Sequence, residues 1–135
     1  MAYLFDTDAI SESRRPRPAL AYLRWLRVVP WTEQFTSAVV VGELFKGAFR
    51  SPERARYLDD IETRVLRAVT VLPYDVEASR LYGRLSAELE VQGQRLADAD
   101  LQIAATALVH DLELVTGNIR HFRRVPGLRI NPVLA

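Results

Sequence analysis

Short apolar runs recur along the chain, each bounded by Pro, Gly or polar residues and separated from the next by a longer segment. Runs of this length and composition are typical of strands buried in a sheet. The predicted strands are residues 3–5, 34–37, 69–72, 113–116 and 128–130, the last of them at an edge of the sheet.

The longer segments carry apolar residues at helical spacing. Residues 75–91 place Leu81, Leu85 and Leu89 on one stripe, which predicts an amphipathic helix. Residues 101–110 are apolar on nearly every side. A helix with that pattern is buried, so this segment is predicted to lie in the core.

The rest of the chain continues the alternation of strands and helices. Residues 11–18 contain several arginines and two prolines and are predicted as a loop. The remaining predicted helices are residues 19–28, residues 39–49, and a helix from Ser51, its expected N-cap, through Pro52 to about residue 68. Strands that alternate with helices indicate βαβ units, hence an α/β protein whose mostly parallel sheet is covered on both faces.

Composition narrows the class of protein. A chain of 135 residues, 49% of them hydrophobic, is expected to form a single domain over residues 1–135. The net charge of +1 does not by itself predict a nucleic-acid or membrane partner. The absence of cysteine excludes disulfides, thiol nucleophiles and Cys-ligated zinc. Neither a signal peptide nor an apolar run of about 18 residues is found, so we expect a cytoplasmic protein with no membrane partner.

Three acids lie far apart in the sequence, yet each adjoins an apolar segment. Asp6 follows the first strand, Glu43 lies in the helix that contains Val39–Val41, and Asp100 precedes Leu101. An ionised carboxylate in such a setting is costly unless it is paired or coordinates a metal. Because sites in open α/β sheets lie beyond the carboxyl ends of the strands, these acids can converge. Together they predict a cage of oxygen ligands for Mg²⁺ or Mn²⁺.

Each of these acids also has a structural alternative. Asp6 could be a helix N-cap, a role for which Thr7 and Asp8 compete, and Asp8 could equally be an outer acid of the metal site. Glu43 could be a solvated helix residue paired with Lys46 one turn away. These alternatives stay open at the level of the sequence.

Asp98 and Asp100 compete for one position at the start of the buried helix. Either could cap that helix, where the helix dipole favours an anion. Asp100 lies closer to the apolar stretch, so it is the expected metal ligand, and Asp98 is expected in the surrounding shell.

Polar side chains follow the fourth predicted strand as well. Thr116 and Asn118 could be turn residues, or they could position water, metal or phosphate. His121 lies nearby, and His110 is most simply the end of the buried helix. The two histidines lack metal-ligand spacing, which argues against a His-type zinc site.

The cationic residues are almost all arginine: Lys46 is the one lysine among 18. Arginine suits bidentate contacts to phosphate, although the bias can also reflect genome composition. The two clusters that could hold phosphates or form a solvated face are Arg14, Arg15 and Arg17, and Arg120, Arg123 and Arg124. A carboxylate-held divalent metal flanked by such arginines is a design suited to phosphodiester cleavage.

Four segments, in order, resemble the motifs of PIN-domain nucleases, and in particular the VapC toxins of type II toxin–antitoxin pairs. The first motif is similar to Leu4–Ser11, the second to Ser37–Leu44, the third to Asp100–Ala107, and the closing one to Leu114–Phe122 followed by Val125–Leu128. Each motif alone is weak, whereas the ordered set covers the whole chain and is specific.

The resemblance implies an α/β/α sandwich and a Mg²⁺- or Mn²⁺-dependent endoribonuclease. It further implies a homodimer and a cognate VapB-type antitoxin whose C-terminal segment enters the active site. By position, Asp6 and Asp100 would be the main metal ligands and Glu43 the third acid. Many members carry a fourth acid where this chain has Asn118 and His121, so the number of metal ions stays open.

Two other functions compete with this one. A catalytically weak module of the same fold could bind RNA or protein. The intact Asp6, Glu43 and Asp100 argue against this alternative, whereas the missing fourth acid leaves it open. An aspartyl phosphatase-like enzyme could use Asp6 as a nucleophile, but it needs a late lysine to neutralise the phosphorylated acid. The one lysine, Lys46, lies early in the chain, which makes this the weaker alternative.

Overall fold

Five short strands form one sheet at the centre of the protein, in a computed structural model that describes residues 1–134. The strands are β1 (Tyr3–Phe5), β2 (Gln34–Ser37), β3 (Thr70–Leu72), β4 (Glu113–Val115) and β5 (Ile130–Asn131). Their order is β3-β2-β1-β4-β5, and every neighbouring pair is parallel. In the central register Leu4 pairs with Phe35 on one side and Leu114 on the other. The predicted strands are therefore confirmed, and the sheet is wholly rather than mostly parallel.

Helices pack on both faces of this sheet, which gives the predicted three-layer α/β/α sandwich. They are α1 (Thr7–Arg14), α2 (Leu20–Val28), α3 (Ala38–Arg50), α4 (Arg54–Asp60), a π-helical turn (Ile61–Val65), α5 (Leu66–Ala68), α6 (Val76–Val91), α7 (Asp98–Val109) and α8 (Ile119–Phe122). In the part of the chain that the structure covers, no helix combines the length and the apolar character needed to cross a bilayer.

The core is built from the middle strands and from α7. Leu4 and Leu114 have no exposed surface, and Ile103 and Ala104 on α7 are equally buried. The prediction that this nearly all-apolar helix lies in the core is confirmed. The Trp25 ring of α2 packs edge-on against the Tyr3 ring, with 5.0 Å between the ring centroids. This contact joins α2 to the first residue of β1.

The loop predicted over residues 11–18 is wrong in its first half, because α1 continues to Arg14. Ala9 and Ile10 of this helix are buried and pack in the hydrophobic core. It ends where Arg15 takes an extended backbone (φ −70°, ψ 153°), as expected for a residue that precedes proline. The prolines and arginines of this segment therefore indicate where α1 ends, whereas the sequence predicted a loop throughout.

The helix predicted from Ser51 begins later. Ser51 ends α3 instead: its N–H donates to Ala48 O, and its hydroxyl accepts from Glu53 N at 3.0 Å in the turn that follows. Pro52 lies in that turn, and α4 starts at Arg54. A serine hydroxyl can cap a turn as readily as a helix, which is why the local sequence pointed to the wrong start.

The last strand lies slightly later than predicted, at Ile130–Asn131 instead of residues 128–130, although it is the predicted edge strand. Gly127 has a positive φ of 77° in the preceding turn, and Leu128 N–H donates to Val125 O. Leu128 therefore belongs to the turn.

Candidate active site

Asp6 lies at the carboxyl end of β1 and is the first residue that positions the site. Its Oδ1 accepts the Ala9 N–H at 2.9 Å, so it caps α1, and its own N–H donates to Val115 O. Only 5% of Asp6 is exposed. Capping uses one side of the carboxylate, so the cap and the ligand alternatives are compatible rather than exclusive.

The pKa of Asp6 is raised to about 7, mainly because the carboxylate is buried. Hydrogen bonds from Thr116 and from the Ala9 backbone lower it, and the negative charges of Asp8 and Asp100 raise it further. The acid at the end of β1 is therefore coupled to an acid that follows 94 positions later at the start of α7.

Asp100 lies half-buried in the first turn of α7, and its pKa is raised. Burial is the largest cause, followed by the negative charge of Glu43, while His121 acts in the opposite direction. Asp98 and Asp100 were predicted to compete as the cap of this helix. Both are instead inside it, and the cap position is held by Ala97, which has no capping side chain. The free N–H groups of the first turn still favour anions there.

Glu43 reaches the same region from α3, half-buried as predicted. The Thr7 hydroxyl donates to Glu43 Oε1 at 2.5 Å. The sequence suggested Thr7 only as a competing cap, whereas it is the first residue of α1 and orients this acid. The structural alternative paired Glu43 with Lys46, but the ion pairs within residues 1–134 do not include that pair.

The segment after β4 closes the site. Thr116 is fully buried, hydrogen-bonds the Asp6 carboxylate and accepts the Asn118 N–H at 2.9 Å. Asn118 Oδ1 lies 2.5 Å from His121 Nδ1, an arrangement in which Nδ1 carries the proton. Thr116 therefore links the strand-end acid to the Asn118–His121 pair within a turn, and the positioning of water, metal or phosphate by these residues stays a prediction.

Two of the candidate acids lie further out. Asp8 is exposed and raises the pKa of both Asp6 and Asp100, which agrees with its predicted place as an outer acid. Asp98 is exposed, and its Oδ1 accepts a hydrogen bond from Tyr82 on α6 at 2.7 Å. That contact joins α6 to α7, a role that nothing in the local sequence indicated.

Three of the six candidate arginines form ion pairs or hydrogen bonds within residues 1–134. Arg14 forms a bidentate pair with Asp60, with Nε 2.9 Å from Oδ2, and Arg15 lies 3.2 Å from Glu12. Arg124 donates to Arg95 O at 2.8 Å. The remaining candidates are the exposed residues Arg17, Arg120 and Arg123. Arg14 is therefore a structural tie between α1 and α4 as well as a candidate for phosphate binding.

Two clefts meet at the first turn of α1. The larger is an open groove of about 760 Å³, lined by Thr7 and Glu43 at one end and by Tyr57 on α4. The smaller, of about 380 Å³, is lined by Asp8 and Asn118 among others. Consecutive residues of α1, Thr7 and Asp8, thus contribute to the two clefts, and Glu43 lines the larger one.

The donor set fits a hard divalent cation in its chemistry. Asp6, Glu43 and Asp100 offer carboxylate oxygens, and their mutual repulsion is the condition that a cation relieves. Across residues 1–134, however, no three acidic or histidine side chains are already arranged around one ion position. Asp6 and Glu43 each already accept a hydrogen bond, from Ala9 N and from Thr7, so a cation would be held through their other carboxylate oxygens.

The sequence and the fold are both similar to those of known PIN-domain proteins. The family model for the PIN domain matches residues 3–128. The chain is 34% identical to "VapC ribonuclease Y4jK" of Sinorhizobium fredii, with 96% of each chain covered. Its fold is similar to the FitAcB complex from Neisseria gonorrhoeae (TM-score 0.88, 28% identity, 96% and 97% covered). It is also similar to VapBC2 from Rickettsia felis bound to a promoter DNA fragment (TM-score 0.86, 26% identity, 97% and 98% covered).

Proposed function

This chain belongs to the PIN-domain family and is a relative of the VapC ribonucleases, and from that premise we propose that it is a metal-dependent endoribonuclease toxin of a type II toxin–antitoxin pair. The observation that carries the proposal is the convergence of Asp6, Glu43 and Asp100. Asp6 follows β1, Glu43 lies on α3 and Asp100 lies on α7, and Glu43 also lines the open groove. A divalent cation would relieve the repulsion among these like charges.

Asp6, Glu43 and Asp100 would hold Mg²⁺ or Mn²⁺, with Asp6 and Asp100 as the main ligands. When bound, such an ion supplies an activated water at neutral pH and neutralises charge on the phosphoryl group. Thr7 holds the Glu43 carboxylate, and Thr116 holds Asp6, so both hydroxyls fix the direction of an acid. Asn118 and His121 stand where many relatives carry a fourth acid, and they would orient water or phosphate.

A VapB-type antitoxin is the proposed protein partner. One structural relative is described as a member of the VapBC family of toxin–antitoxin systems, and VapBC2 carries the same family name. The groove that begins at Thr7 and Glu43 is open enough to receive an extended segment of such a partner. A homodimer and a cytoplasmic location are further predictions that follow from the same family relationship.

The decisive experiment is cleavage of total RNA by purified, antitoxin-free protein in Mg²⁺ or Mn²⁺ against EDTA. We expect discrete metal-dependent cuts, and we expect Asp6→Asn and Asp100→Asn each to slow cleavage by more than about a hundredfold. Asparagine caps a helix as well as aspartate does, so Asp6→Asn should keep its fold. The matched control is Asp75→Asn, at an acid that caps α6 through Ala78 N in the same way but lies outside the cluster.

A non-catalytic RNA-binding module is the second candidate, favoured by the absence of a preassembled three-ligand arrangement within residues 1–134. The two functions differ in a calorimetric Mn²⁺ titration. A nuclease should bind Mn²⁺ and lose it in Asp6→Asn, whereas a module without a metal site should release no heat. Cleavage that persists in both acid variants would contradict the mechanism and point to another site.

A further inference from the structure

The turn between α3 and α4 exposes two aromatic rings that the core does not use. Phe49 is 53% exposed at the end of α3, and Tyr57 is 40% exposed on α4. Residues 49–57 are called the aromatic hairpin below. Exposed rings of this size are unfavourable in water, so a pair of them at one tip calls for an explanation.

Each ring carries an arginine over it. The Arg54 guanidinium lies 5.9 Å from the Phe49 ring centroid, and two hydrogen bonds to Phe49 O, at 3.1 and 2.8 Å, fix it there. The Arg56 guanidinium lies 5.0 Å from the Tyr57 ring centroid. The hairpin thus presents flat aromatic surfaces beside fixed cations, which is the combination that binds unpaired nucleotides.

The charge around the hairpin is positive. Lys46, Arg50, Arg54 and Arg56 lie in or next to it, against Glu53 within it and Asp59 and Asp60 just after it. Glu53 pairs with Arg56 at 2.9 Å and Asp60 pairs with Arg14, so two of these three acids are already neutralised. A polyanion therefore fits this surface better than an acidic peptide does.

The Tyr57 side of the hairpin borders the candidate active site, whereas Phe49 lies outside the lining of the groove. Arg56 and Tyr57 line the same groove as Thr7 and Glu43. Along α3, the six residues from Glu43 to Phe49 correspond to roughly 9 Å, a distance that one strand of RNA can span. Asp60, also in the groove, is neutralised by Arg14 and lies 3.8 Å from Arg64, so Asp59 is the acid that opposes a phosphate there.

We propose that the aromatic hairpin is a stacking platform for unpaired bases of the RNA substrate, next to the bond that is cut. Bases stack on Phe49 and Tyr57, and the neighbouring cations contact the backbone. This proposal rests on the ribonuclease function and assigns the contacts with unpaired bases to Phe49 and Tyr57, since a base in a duplex cannot reach a protein ring.

The test is fluorescence anisotropy of wild-type protein and variants with a labelled single-stranded RNA in EDTA, where binding is measured without cleavage. We expect Phe49→Leu and Tyr57→Ala each to weaken binding about fivefold to tenfold, the lower range for loss of one base stack. Tyr57→Phe keeps the ring and should bind like wild type. Trp31→Ala removes a ring that is 73% exposed outside the hairpin and should also have no effect.

An abasic strand of equal length separates stacking from charge, because it keeps the phosphates and lacks the bases. The hairpin variants should bind this strand as wild type does. Equal losses on the abasic strand, or unchanged affinity for the normal RNA, would overturn the proposal. Unchanged RNA affinity together with loss of a co-purifying antitoxin would reassign the hairpin to protein docking.

The same samples keep this proposal separate from the ribonuclease assignment. If wild-type protein binds single-stranded RNA through the hairpin but makes no cut in Mg²⁺ or Mn²⁺, the nuclease function fails and the platform stands. If it cuts RNA normally in both hairpin variants with unchanged affinity, the nuclease function stands and the platform fails.

Discussion

At the scale of single residues, the buried acid Asp6 gives the protein a pH-dependent stability. Its pKa is about 7 in the folded state against 3.8 ordinarily, so between these values the folded state binds more protons than the unfolded state. Without metal, the free energy of unfolding should therefore fall as the pH rises from about 4 to about 7, by an amount on the order of a few kcal/mol.

Urea unfolding in EDTA at pH 5 and pH 8 measures this effect. Asp100 shifts in the same direction, so the Asp6 contribution is isolated by comparison with Asp6→Asn, which should be less sensitive to pH and more stable than wild type at pH 8. An equal loss of stability in wild type and variant would show that Asp6 is not the buried anion inferred here.

Individual residues also show which parts of the candidate site can be predicted from the sequence and which cannot. The acids Asp6, Glu43 and Asp100 each stand beside apolar neighbours, so their unusual setting was visible without coordinates. The hydroxyls that orient them were not: Thr7 contacts an acid 36 positions away. A bond between elements depends on how α1 and α3 pack, and that information is not contained in either segment.

At the scale of elements, the small residues of α7 determine how closely this helix packs against its neighbours. Ala104 has no exposed surface and belongs to the main core cluster. Ala104→Leu should overpack that site and lower the free energy of unfolding by about 1–3 kcal/mol. Ala87→Leu, at an exposed position within α6, adds the same atoms where there is room and should change stability little. Denaturant unfolding of both variants checks this, and a similar loss in both would refute the packing argument.

The types of the helices and strands were predicted better than their boundaries, for a physical reason. Strands and the buried α7 are read from hydrophobic pattern over many residues, and these predictions were confirmed. The start of α4 and the extent of α1 depend on single capping groups, and a residue such as Ser51 can end one helix instead of beginning another. Local capping alternatives of similar energy are decided by tertiary contacts, so boundaries were wrong where element types were right.

At the scale of the whole molecule, a net charge of +1 means that RNA binding must come from local patches, because the overall field attracts a polyanion only weakly. The exposed arginines on and after α8, Arg120 and Arg123, form one such patch beside the candidate site, whereas Arg14 is held by Asp60. If Arg120 and Arg123 each neutralise one phosphate, each releases counterions when single-stranded RNA binds.

The slope of log affinity against log salt concentration reports this release. Arg120→Gln and Arg123→Gln should each make the slope shallower by about 0.7, the value for one phosphate contact on a single strand, and should weaken binding to all sequences alike. Arg84→Gln, on α6 and 3.8 Å from Glu88, is the matched control and should leave the slope unchanged. Unaltered slopes in both test variants would show that α8 is a solvated face and that the phosphates follow another route. The salt slope reports the number of phosphate contacts, whereas the abasic strand reports the loss of base stacking. Together the two measurements distinguish phosphate binding at α8 from base binding at the aromatic hairpin.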